Sequence, residues 1–160
     1  MAKPSLALVQ AAIAVIERRG RYLISRRPPG AHLAGYWEFP GGKRQVRESW
    51  TACLRREVQE ETGLSVRSAQ RLITLRFSYP DRRVLLQAFR CTVGAGTPHR
   101  LDRGQIRWVS KTQLQRVQFP PANRPLVELL SSRKVWSYPP RRAIIDLRRS
   151  SHRRTRAWSH

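Results

Sequence analysis

Apolar positions alternate at Val9, Ala11, Ile13 and Val15, and Arg18-Arg19-Gly20 then turns the chain into Arg21-Tyr22-Leu23-Ile24-Ser25. That period of two, broken by a glycine turn, predicts a β-hairpin. Pro28, Pro29, Gly30 and Gly35 predict a loop over 27–37, and Glu38-Phe39-Pro40 leads into a Gly41-Gly42 turn. The clearest helix follows: Ser49 is a candidate N-cap, residues 50–61 hold no Gly or Pro, and Thr62-Gly63 closes the segment with a glycine cap. Two strand-like runs, Arg71 to Tyr79 and Val84 to Val93, meet at Pro80-Asp81-Arg82. A short strand at Gln105–Val109, a Ser110-capped helix near 111–116 and a last helix at 124–132 complete the pattern. Strands outnumber helices and no βαβ alternation is present, so an α+β fold with a mixed sheet is expected.

Composition narrows the function classes. The 160 residues are about one domain, and 40% are apolar, enough for a packed core. No run approaches the ~20 apolar residues of a membrane helix, so no membrane partner is expected. The longest apolar run, Leu6 to Ile16, is interrupted by Gln10, and Glu17-Arg18-Arg19-Gly20 follows without a small-residue cleavage site. It reads as a first strand and not a signal peptide. Two cysteines, Cys53 and Cys91, are too few for a disulfide scaffold and point to a reducing, cytoplasmic compartment.

The charge is extreme. Lys and Arg number 32 against 10 acids, a net +22. Residues 133–160 carry nine of the cations and one acid, Asp146, with Trp136 and Trp158 among them. This segment reads as a basic, disordered tail beyond a domain at 1–132, and as a candidate for weak nucleic-acid contact. The acids are distributed differently. Glu38, Glu48, Glu57, Glu60 and Glu61 are half of the ten acidic residues, gathered into positions 38–61.

On the central helix Glu57, Glu60 and Glu61 stand at i, i+3 and i+4 and share one face. Three like charges so close repel one another, and a divalent cation resolves the conflict. All-oxygen donors suit Mg²⁺, or Mn²⁺, and not a thiolate or imidazole metal.

From Gly42 through Glu48 to Arg56-Glu57-Val58-Gln59-Glu60-Glu61-Thr62-Gly63-Leu64, the chain matches G-x5-E-x7-R-E-U-x-E-E-x-G-U, where U is aliphatic, at every fixed position. It thus resembles the Nudix box. The flanks, Ile24-Ser25-Arg26-Arg27, Ala31-His32-Leu33, Trp37 to Lys43, Tyr79 to Arg82 and Phe119 to Asn123, are similar to the MutT-type branch of that family. The resemblance spans roughly residues 8–131.

It implies a Nudix fold, a mixed β-sheet sandwiched between α-helices with the box as loop–helix–loop. It also implies Mg²⁺-dependent hydrolysis of a nucleoside triphosphate to the monophosphate and pyrophosphate, with 8-oxo-dGTP the favoured substrate, which sanitises the nucleotide pool; separately, a monomer is expected. By the same resemblance Glu57, Glu60, Glu61 and the Gly42 carbonyl hold metal, and Arg56 orients a box glutamate. A carboxylate a few residues before Trp108, which falls on Asp102, is the candidate proton acceptor alongside the box glutamates. Arg27, Arg82, Asn123 and the Phe39 carbonyl contact substrate, and a carboxamide at Asn123 suits a purine's O6 and N7 edge. Asn123 is also placed to cap the helix that follows. Two positions depart from the branch: Gln45 replaces a common glutamate and Arg47 a usual glycine. Broader or pyrimidine nucleotide hydrolysis, action on capped or 5′-triphosphate RNA, and a non-catalytic module binding oxidised guanine in nucleic acid are the rival readings.

Overall fold

The computed structural model describes residues 6–99, 104–132 and 144–147. The elements run in the order β1 (Ala7–Arg18), β2 (Arg21–Arg26), β3 (Trp37–Glu38), β4 (Gly41–Lys43), α1 (Trp50–Thr62), β5 (Val66–Ser78) and β6 (Arg82–Val93). After these come β7 (Ile106–Ser110), α2 (Lys111–Arg116), a 3-10 turn (Pro121–Asn123), α3 (Arg124–Ser131) and β8 (Ile144–Leu147).

The strands form one mixed sheet in the order β3-β2-β1-β6-β5-β8, with β4 beside β1 and β7 beside β2. The β1–β2 hairpin turns where Arg18 faces Arg21, as the glycine signal predicts. β1 then runs parallel to β6, from Ala7 opposite Arg82 to Ile16 opposite Cys91. The other described pairs are antiparallel except β5–β8.

Because side chains alternate across a strand, β1 divides its residues between two cores. Ala12, Ala14 and Ile16 meet Cys53, Leu54 and Val58 of α1. Ala11, Ile13 and Val15 face the other way, toward Leu114 of α2 and Leu126, Val127 and Leu130 of α3. Helices therefore cover both faces, the expected sandwich. The caps of α1 form as expected: Ser49 Oγ accepts the Ala52 N–H at 3.1 Å. Gly63, at φ 71°, donates its N–H to Gln59 O at 3.0 Å. Both cysteines are free and buried.

The structure differs from the sequence expectation at several elements. β5 starts at Val66 and not at Arg71, because irregularities at Val66/Ser68 and Arg71/Ile73 break the period of two that marks a strand. The short strands β3 and β4 stand where a loop and a turn are expected. Within 133–160, residues 144–147 form β8, in parallel register with Thr74–Phe77. The rest of the proposed tail lies outside the described residues.

Gly41, at φ 154°, packs so closely on β1 that an added Cβ would stand 2.1 Å from Ala12 O. Arg47 sits at φ 64° on the loop before α1. A side chain in that left-handed region costs about 1 kcal/mol relative to glycine. The substitution Arg47→Gly is therefore expected to stabilise the fold by up to about that amount in urea titration at constant m-value.

Candidate active site

Gly42 is the middle residue of β4, which pairs antiparallel with β1 and sets Gly42 opposite Ala12. It must be glycine because α1 lies directly on it: a Cβ there would stand 2.3 Å from the Glu57 carboxylate. One helical turn back, the Cys53 thiol donates to the Gly42 carbonyl at 3.6 Å. Burial, above all, pushes the Cys53 pKa up, and Glu48 and Glu57 add to this.

Arg56 ties the box together. Its Nε and Nη2 bond to the two Glu48 oxygens at 2.7 and 3.0 Å, a bidentate pair. Its Nη1 reaches Glu57 Oε1 at 2.6 Å and Glu60 Oε2 at 3.3 Å, and Nη2 also donates to Lys43 O at 3.1 Å. The Gln45 N–H donates to Glu48 Oε2 at 2.9 Å. The bond from Arg56 and then that from Gln45 hold Glu48 down at about 2. Glu48, in return, raises the pKa of Arg56. Glu61 accepts the Gly41 N–H at 3.2 Å.

A cleft of about 580 Å³ opens beside these groups. Glu57, Glu61 and Gly42 line it, and so do Arg27, Phe39, Arg82 and Asn123. Its apolar wall is the outer face of β1 and β6, with Val9, Ala11, Ile13, Val84 and Leu86. Arg27 is paired with Glu38 and donates from Nε to His32 O at 2.7 Å. Arg82 pairs with Asp81, with Nε 2.9 Å from Oδ2. Phe39 stacks on Phe119 at 5.1 Å, and His32 meets Tyr79 edge-on at 5.2 Å. Burial is the main cause of a raised Tyr79 pKa. Asn123 is buried, and its side chain makes no capping bond to α3, although its position allows one.

Seven residues singled out from the sequence thus meet in one cleft. Arg56 sits outside the lining, holding Glu48 and Glu57. Glu60 does not line the cleft, and its carboxylate is largely exposed beside Arg56. Asp102 lies outside the described residues. Among the described residues, no three acidic, His or Cys side chains are gathered in a metal-holding cluster, and Arg56 engages two of the three box glutamates. The donor chemistry nonetheless fits a hard divalent cation. All candidate groups are oxygens, and the Gly42 cradle leaves room for the Glu57 carboxylate at the backbone. Lys43, Glu38, His32 and Tyr79 also line the cleft, without a role assigned from the sequence. All four fall inside the quoted motifs, which is the signal that locates them.

A mixed sheet between helices carries a glycine pair seated under a glutamate-bearing helix, with oxygen donors beside a cleft of about 580 Å³, and the family that shares this arrangement makes the chain a hydrolase of phosphoric anhydride bonds. The chain belongs to the Nudix family: residues 11–129 match its domain. The 8-oxo-dGTP diphosphatase of Escherichia coli K12 is 32% identical over 76% of this chain and 95% of its own length. The CTP pyrophosphohydrolase of the same organism is 30% identical over 76% of this chain and 90% of its own. A MutT structure from work on Aliivibrio salmonicida and Vibrio cholerae superposes with TM-score 0.65 at 28% identity, covering 78% of this chain and 97% of that one. No helix among the described residues is long and apolar enough to cross a membrane.

Two outcomes are expected. Gly42→Ala should abolish hydrolysis, because the methyl group displaces Glu57; a variant retaining more than a tenth of wild-type turnover would contradict the close approach. Glu48 ionises lower in the folded chain than its ordinary 4.5, at about 2. Its contribution to stability is therefore complete above pH 4.5 and lost as pH falls from there toward 2. Urea midpoints measured across that window should fall less steeply in Glu48→Gln than in wild type.

Proposed function

We propose that this chain is a Mg²⁺-dependent pyrophosphohydrolase of MutT type that converts 8-oxo-dGTP to 8-oxo-dGMP and pyrophosphate. One observation carries the reading: the box glutamates Glu57 and Glu61 and the uncapped carboxamide of Asn123 line the same cleft. A triphosphate presents its anhydride to the first pair while its base reaches the second.

The divalent cation supplies charge neutralisation on the phosphates and activation of water. Glu57, Glu60, Glu61 and the Gly42 carbonyl would hold it, with Mn²⁺ an alternative occupant. Water adds to phosphorus, the bridging P–O bond breaks, and the proton passes to a box glutamate or to Asp102. Arg56 keeps Glu57 in place through the bidentate hold on Glu48.

In 8-oxoguanine N7 carries a proton. A buried acceptor opposite it, the main-chain carbonyl of Phe39, and the donor of Asn123 toward O6 discriminate against guanine, whose unprotonated N7 would leave that acceptor unpaired. Arg27 and Arg82 bring their paired carboxylates with them, so they suit sugar and base edges better than bare phosphate.

The test is pyrophosphate release with Mg²⁺ on 8-oxo-dGTP, dGTP, CTP and dCTP, with Glu57→Gln as control. The expected order places 8-oxo-dGTP ahead of dGTP by about two orders of magnitude or more in kcat/KM, with the control inactive. Faster turnover of CTP, the substrate named for one E. coli relative, or of dCTP would remove the base-reading role of Asn123 and leave the hydrolase.

A further inference from the structure

The alternation that lines the cleft with Val9, Val84 and Leu86 sends their neighbours to the back of the sheet. There α1 covers only part of the surface. In register across β1, β6 and β5 stand Leu8, Arg83 and Ser78 in one row, and Gln10, Leu85 and Arg76 in the next. Arg71, opposite Phe89, lies on the same face. Arg71, Arg76 and Arg83 are exposed, and none has an ion-pair partner among the described residues. Leu8 is 51% exposed and Leu6, just before the strand, 37%.

The N-terminal end of α1 borders this surface and has no acidic residue in its first turn. Arg44 bonds Gln10 Oε1 at 2.9 Å and lies over the Trp50 ring at 4.9 Å. The acidic residue in register with these rows is Asp146 of β8, opposite Arg76.

Exposed guanidinium groups that have no ion-pair partner among the described residues, Arg83 donating only to the Leu6 carbonyl at 3.4 Å, are interleaved with exposed leucines and a Trp50–Arg44 stack, and together they match a chain of phosphates with accessible base faces. A duplex hides those faces; a single strand offers them. We infer that the back of the sheet, around Arg71, Arg76, Arg83 and Trp50, is a binding platform for single-stranded nucleic acid. The platform lies on the opposite face from the cleft, so both can be occupied together, and its occupancy is independent of which nucleotide the cleft hydrolyses.

The probe is fluorescein-labelled oligo(dT), titrated with the full chain by anisotropy across a salt series. Wild type should bind with a slope of log K on log salt that falls by about two units in the triple variant Arg71→Gln, Arg76→Gln, Arg83→Gln, at roughly 0.7 per phosphate contact. Affinity near 0.1 M salt should drop about tenfold or more with those contacts. A control of equal charge loss elsewhere, Arg19→Gln, Arg21→Gln, Arg116→Gln, should keep the wild-type slope. Nucleotide hydrolysis should be unaltered in both. Equal weakening by the two triples would reduce the effect to net charge and overturn the platform. So would absence of oligo(dT) binding by wild type, or equal affinity for a duplex of the same length.

Discussion

The bidentate grip of Arg56 on Glu48 is the contact on which the site depends. It joins the loop before α1 to the helix itself, and the same guanidinium reaches Glu57 at 2.6 Å and the Lys43 carbonyl at 3.1 Å. Helix, loop and β4 are thereby fixed to one planar group. A lysine has one point charge and no fork, so it could not satisfy two carboxylates and a carbonyl in that geometry. The grip also answers an electrostatic problem. Glu57, Glu60 and Glu61 crowd one helix face and repel one another, and a permanent cation between them keeps the face folded.

That arrangement requires α1 to lie very near the sheet, and the paired glycines allow it. Gly41 rests on Ala12 and Ile13 of β1, while Gly42 faces the Glu57 carboxylate. Side chains at either position would lift the helix away. The strained φ of Arg47 belongs to the same construction. The loop must turn left-handed there to bring Glu48 under Arg56, and the chain keeps the turn without the glycine that would ease it.

Much of this was legible in residue order, for a physical reason. α1 announces itself through local signals, a Ser49 cap, an uninterrupted run and Gly63, and its three glutamates follow from helical spacing alone. The cleft residues Arg27, Phe39, Arg82 and Asn123 were legible only through motifs, since they come from distant segments that pairing brings together. The start of β5 was hidden because its irregularities shift the apolar period, and β3 and β4 are too short to show one. β8 was hidden by its neighbours, a strand of four residues inside a strongly basic segment. Asn123 was ambiguous because cap and base reader look alike in sequence. The missing capping bond in α3 leaves its carboxamide available to the cleft.

The distribution of charge over the two sheet faces gives the excess of arginine a spatial meaning. On the cleft side Arg27 is held by Glu38 and Arg82 by Asp81, while Arg56 is spent on the box glutamates. Arg27 and Arg82 arrive with their own anions, which keeps a cleft that must release a product from gripping every phosphate that enters. On the back, Arg71, Arg76 and Arg83 have no such partners among the described residues. Codon usage can raise the number of arginines, but it has no means of sorting paired from unpaired ones across the two faces of a single sheet. A strand's period of two does sort them, because neighbouring positions such as Arg82 and Arg83 face opposite sides.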